Sequence, residues 1–278
     1  MSIRQGRRAP GPLWADRAAR VGYVAKGLVF LLVGGLAIAA AGGLGGKATD
    51  PSGAMVTLTH VPAGRAALAL VALGLFAHAA FRAALLVVGE PYVKRGPAAR
   101  LLRRVANGFG ALIYVGMAIT AGALAVGWGA HVNTNKDRET RHLSARILTA
   151  PLGRLLLLGV ALGIIVAAVV QLVRAFGPNH VGEQLRSGEM TDGQQRLVVV
   201  VARIAFAARG VVLAACGYFM ARAAIDGAPR EARGPAGALH ALGELPHGNL
   251  WLGTVGAGLI AFGAYSFLEA RWRQLFAR

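Results

Sequence analysis

Three cations stand where a cation is costly. Lys26, Arg82 and Arg209 each interrupt a stretch otherwise apolar enough to cross a bilayer. A charge inside a membrane calls for a counter-charge, a route to the headgroups or a ligand. Lys26 lies six residues past Arg20, and Arg209 six past Arg203. At a helical rise of about 1.5 Å per residue, both sit about 9 Å below the surface. Arg82 runs the opposite way, eight residues before Glu90, which places it about 12 Å from the same surface. Three cations at one level would form a positive ring suited to an anionic solute or a lipid phosphate. The competing reading is that the long side chains snorkel to the headgroups or pair with Glu269, the best-placed acid. His78 reads as a hydrogen-bonded packing residue, and Gln171 as an interhelical hydrogen-bond donor. Together with Glu269 they form a candidate polar core.

Reaction chemistry has little to start from. No paired carboxylates lie within a span for proton relay or hydrolysis. There is no His-Glu-x-x-His, no Gly-x-Ser-x-Gly and no phosphate-binding Gly-Lys-Ser/Thr loop. His60, His131, His142, His240 and His247 do not occupy equivalent repeat positions. His78 has no second axial donor at its depth for haem. A single cysteine, Cys216, allows no intramolecular disulfide and no multi-thiolate metal site. No catalytic residue, metal site or cofactor is expected.

The elements that position these residues are apolar helices. Hydrophobic residues make up 55% of the chain and charged residues 15%, against about 25% charged in soluble domains. Residues 27–46, 105–130, 155–173 and 250–268 contain no Asp, Glu, Lys or Arg. A hydrocarbon core of about 30 Å needs about 20 helical residues. Six spans are expected, near 23–44, 66–89, 105–129, 154–176, 199–221 and 249–268. The first has the basic leader and Ala-rich end of a signal peptide, but its repeat counterparts are internal, which argues for a retained span. Lys and Arg concentrate before the first span, between spans two and three and between spans four and five. That asymmetry makes both termini cytoplasmic. The formal net charge of +18 then serves orientation and attraction to anionic headgroups. A nucleic-acid surface would need a basic domain or aromatic-basic platform, and neither is present.

The spans come as three copies of a helix pair. Arg20, Arg104 and Arg203 align without gaps, as do Lys26, Gly110 and Arg209. The second half of each copy opens at Pro62-Ala-Gly-Arg65, Pro151-Leu-Gly-Arg154 or Pro246-His-Gly-Asn249, with Gly74, Gly163 and Gly258 twelve residues past each proline. Recurrence at this period defines the architecture. The division is a basic tail (1–15) followed by repeats at 16–92, 93–180 and 181–278. Two spans per copy make the repeats parallel, around an axis along the membrane normal. The fold expected is an all-α integral membrane bundle with a pseudo-threefold axis. Abundant glycine reads as close helix packing or as the lining of a narrow passage. Before each proline, apolar residues at helical spacing (Met55, Leu58, Val61; Leu143, Ile147; Leu239, Leu242, Leu245) predict short interfacial helices on the extracytoplasmic side. The prolines are expected to open the first turn of the following spans.

The Arg-x-Gly-Tyr-x-Ala-Lys-Gly opening (Arg20 to Gly27), the Pro-x-Gly-Arg turn and Ala72-Leu-Gly-Leu75 resemble the bacterial domain-of-unknown-function family numbered 1206. The resemblance runs from about Trp14 to Arg273. The third copy departs from it at Asn249, and the second at Ala106-Asn107. It implies three tandem two-helix units in a membrane and brings no reaction or catalytic residue with it. The expected protein is a multi-pass, non-enzymatic component of the bacterial cytoplasmic membrane that binds lipids, a protein partner or a second copy. The alternatives are an anion or small-solute transporter or channel with a cationic cytoplasmic mouth and, further off, a lipid-modifying enzyme.

Overall fold

The computed structural model describes residues 13–44, 48–89, 96–128, 136–177 and 190–272. Most of the basic tail and His131 lie outside them. The described residues form nine α-helices and no strand. Six are long: α1 (Leu13–Ala41), α3 (Gly64–Val88), α4 (Pro97–Ala125), α6 (Gly153–Phe176), α7 (Asp192–Ile225) and α9 (Gly248–Trp272). All six are long and apolar enough to cross a membrane. Short helices precede α3, α6 and α9: α2 (Pro51–Leu58), α5 (Lys136–Thr149) and α8 (Pro235–Gly243). Asp50 caps α2, accepting the Gly53 N–H at 2.8 Å, and Thr191 caps α7 in a capping box with Gln194.

The prolines do not open the long helices. Each Pro-x-Gly forms a turn, and the helix begins at the glycine, Gly64, Gly153 or Gly248. The middle residue adopts a left-handed conformation in every copy: Ala63 (φ 59°), Leu152 (φ 62°) and His247 (φ 59°). The turn folds the chain back onto the preceding short segment. A Cβ at the three glycines would overlap the carbonyl oxygens of Leu58, Ile147 and Gly243. The motif therefore stores backbone strain at a non-glycine residue and needs glycine next to it for steric room.

The long helices pack in the order α4, α3, α1, α9, α7, α6. The tightest crossing joins α1 to α9. There Gly27 and Gly34 face Gly263 and Gly256 across backbones so close that a Cβ on Gly34 would stand 2.6 Å from the Gly256 carbonyl oxygen. Arg20 Nη1 donates to the Ala270 and Arg271 carbonyl oxygens at 2.9 Å, so α1 starts and α9 ends at one face. A cation there offsets the free carbonyls of a helix C-terminus. The apolar core runs through Val29, Val33, Leu68, Leu75, Met55 and Leu239.

The copies do not pack alike. In the first, Gly74 of α3 lies against Ala25 and the Val21 carbonyl of α1. In the third, Gly258 of α9 lies against Ala208 and the Ile204 carbonyl of α7. These contacts occupy equivalent positions. In the second copy α4 and α6 make no comparable close crossing, and a Cβ on Gly163 would meet nothing within 4 Å. The position of Ala25 and Ala208 is taken there by Phe109, which is 65% exposed. Small residues on both helices permit a close crossing, and a phenylalanine in one of them prevents it.

Candidate functional site

All six residues singled out from the sequence line one cavity. It measures about 130 Å³, roughly ten times the 10–15 Å³ that one water needs. It lies toward the face where α1 starts. Lys26, Arg82, Arg209, His78, Gln171 and Glu269 share it with Arg103, Arg174, Asn107 and the rings of Tyr23, Tyr114, Phe206 and Phe262. Among the described residues, five cationic side chains line the space, against one carboxylate.

Each cation is held differently. Lys26 on α1 is 5% exposed, and its Nζ donates to Glu269 Oε2 of α9 at 2.8 Å. The ammonium also lies over the Tyr23 and Phe262 rings, 4.7 and 5.1 Å from their centroids. Arg82 on α3 donates through Nη2 to Asn107 Oδ1 of α4 at 3.2 Å, and its Nε is buried without an acceptor among the described residues. Its guanidinium lies flat against Gly110, where a Cβ would come within 2.5 Å of Nε. Gly110 is the counterpart of Lys26 and Arg209. The second copy thus lacks a cation at this repeat position, and Arg82 fills the space from the neighbouring helix. Arg209 on α7 has no carboxylate among the described residues. It stacks on Phe30 and Phe262, at 5.6 and 4.8 Å.

His78 packs at the edge of the cavity. It is 1% exposed, packed against Gly22 and set edge-on to Tyr23 and Tyr114 at 4.8 and 4.5 Å. Its ring helps build the wall of the cavity. Gln171 lines the cavity from α6, and Ser266, the third copy's counterpart of Arg82 and Gln171, donates to the Phe262 carbonyl at 2.9 Å. Among the described residues no cluster of His, Cys, Asp or Glu could hold a metal.

The sequence reading missed Asn107 as the acceptor for Arg82, the aromatic wall, and Arg103 and Arg174. The signal lay in the repeat register. Tyr23, Asn107 and Phe206 are equivalent positions, as are Leu85, Arg174 and Glu269, and all six line the cavity. Each copy presents the same two positions to the cavity and fills them with different chemistry.

Six apolar helices, arranged as tandem copies around a polar chamber, make this a multi-pass, all-helical membrane protein. A family model described as Domain of Unknown Function (DUF1206) matches residues 21–85, 107–177 and 204–273, and the chain belongs to that family. It is 31% identical over 265 residues to the uncharacterized protein YxxB of Bacillus subtilis (strain 168), covering 94% of this chain and 92% of that one. No solved structure matches.

Proposed function

We propose that the chamber is an anion-binding site and that the protein acts by binding rather than by catalysis. The observation that carries this is the excess of cations around the cavity. Inserting an arginine near the centre of a span costs about 2.5–3.5 kcal/mol. A cation–π contact returns about 0.5–2 kcal/mol. Arg82 has a single neutral acceptor, and its buried Nε has none among the described residues; an anion between the guanidiniums of Arg82 and Arg209 would supply one. Among the described residues the lining holds one acid, Glu269, and it pairs with Lys26 at 2.8 Å. None of the residues lining the chamber pairs a nucleophile with a base.

In this reading the three copies surround a pseudo-threefold axis in the bacterial cytoplasmic membrane. The chamber and both chain ends are on the cytoplasmic side, where Lys and Arg are concentrated. The short helices lie in the opposite interface. The burial of Ala54 and Met55 on α2 and of Ala238 and Leu239 on α8, with Arg141 and Arg146 of α5 exposed, supports that placement. The test is titration of the purified protein with inorganic phosphate by calorimetry. Saturable binding that weakens about tenfold in Arg82→Gln and in Arg209→Gln, the loss of one charge-assisted hydrogen bond, is the expected result. Phosphate binding that is absent in the wild type, or unchanged in both variants, would end the reading.

A further inference from the structure

The chamber's wall between α4 and α6, at Asn107 and Gln171, adjoins the place where the second copy lacks a close crossing. On α6 the exposed positions Gly159, Gly163 and Ala167 recur at steps of four and lead to Gln171 in the chamber. A Cβ on either glycine would meet nothing within 4 Å. From Gly159 to Gln171 is about 18 Å at 1.5 Å per residue, which matches one leaflet of a hydrocarbon core of about 30 Å. The facing helix contributes exposed Val105, Phe109 and Ile113. Where the gap meets the chamber, Arg103 of α4 and Arg174 of α6 stand on its two sides. The result is an apolar slot, open to the side, that runs into a cationic pocket.

We propose that the slot and chamber together hold one anionic phospholipid, with its phosphate between Arg82 and Arg209 and its acyl chains along the α6 slot. This rests on the anion-binding reading of the chamber and adds the identity of the anion. Charge complementarity selects the headgroup, because a zwitterionic lipid would place its own cation among five others. The slot selects an amphiphile over a free anion, since soluble phosphate makes no use of an apolar groove. The route is lateral, so the lipid reaches the chamber from the bilayer without crossing the closely packed α1–α9 seam.

The test uses the full chain in nanodiscs of phosphatidylcholine containing phosphatidylglycerol, with retained lipid counted by native mass spectrometry. A parallel titration with inorganic phosphate reads the chamber alone. The wild type is expected to retain phosphatidylglycerol at least about tenfold over phosphatidylcholine, the worth of one charge-assisted contact. Gly163→Leu and Ala167→Leu fill the slot at exposed positions. Both should lose that preference while binding phosphate as the wild type does. Arg82→Gln and Arg209→Gln should lose both. Equal retention of the two lipids, or unchanged retention in both slot variants, would overturn the lipid while leaving a phosphate-binding chamber standing. Failure of all forms to bind phosphate would remove the chamber reading itself. A dimer without lipid, converted to monomer by the slot variants, would assign the slot to a second copy and overturn the proposal.

Discussion

The first and second copies are built from matching segments, and one closes while the other does not. α1 and α3 meet through Ala25 and Gly74, two residues small enough to bring the backbones together. α4 and α6 have Phe109 and Gly163 at the same positions and make no comparable close crossing. The third copy, with Ala208 against Gly258, behaves like the first. One change of side-chain volume at a crossing thus separates two sealed hairpins from an open one. Charge follows the same division. The closed copies carry Lys26 and Arg209 on their odd helices, while the open copy carries Gly110, whose missing side chain admits the guanidinium of Arg82. The chamber lies beside the one repeat left without a close crossing.

The largest effect should come from the acid that occurs in only one copy. Glu269 occupies the position of Leu85 and Arg174. Glu269→Gln would strand the buried Lys26 ammonium, and removing one partner of such a pair costs about 3–5 kcal/mol. Thermal unfolding in detergent should show a large drop in Tm, mostly recovered in Lys26→Met/Glu269→Gln. No recovery would mean that Glu269 acts through other contacts.

Next comes the crossing itself. Gly74→Leu and Gly258→Leu must force backbones apart, at a cost of about 1–3 kcal/mol or more for an overpacked interface. Gly163→Leu enters open space and should stay within about 0.5 kcal/mol of the wild type. Equal destabilisation of all three in the same thermal assay would show that the second copy closes after all.

A smaller effect is expected at Gly110. Gly110→Ala would place a methyl within 2.5–2.6 Å of the Arg82 guanidinium and displace it from the chamber. Phosphate affinity should fall severalfold with little loss of stability, and an unchanged affinity would separate Arg82 from the site.

The smallest effect lies outside the spans, at the cap of α2. Burial raises the Asp50 carboxyl above its ordinary value of 3.8, and the Gly53 N–H offsets this only in part. A carboxyl raised on folding binds its proton more tightly in the folded state. Its contribution to stability is therefore greatest at low pH and falls as pH rises from about 3.8 through the folded value. Asp50→Asn keeps a good cap and should flatten that acid-range slope in thermal melts. A slope that survives the substitution would place its origin elsewhere.

Four charge-free runs match the bilayer in length and two more stretches are interrupted only by isolated cations, and the six long helices form where these fall. Repeat register and helical rise also predicted that Lys26, Arg82 and Arg209 lie near one another, and all three line one cavity. The pairing of Lys26 with Glu269 was visible as the nearest acid of opposite charge. The Pro-x-Gly turn was misread, because proline favours a first helical turn in general, while here the left-handed residue after it forces the helix to start at the glycine. The open copy was hidden for a different reason. Phe109 is one apolar residue among many until the Gly74–Ala25 contact shows which face of the helix is the crossing. Asn107 was likewise only a departure from the Gly-Tyr pattern until Arg82 was found donating to it.

In the proposed assembly anionic lipid enters the chamber between α4 and α6. Cryo-electron microscopy of the protein in phosphatidylglycerol nanodiscs would make that lipid visible. A headgroup phosphate is expected between Arg82 and Arg209, with acyl-chain density running past Gly163 in the gap. Gly163 packed directly against Phe109, with the chamber sealed and empty of any anion, would contradict it.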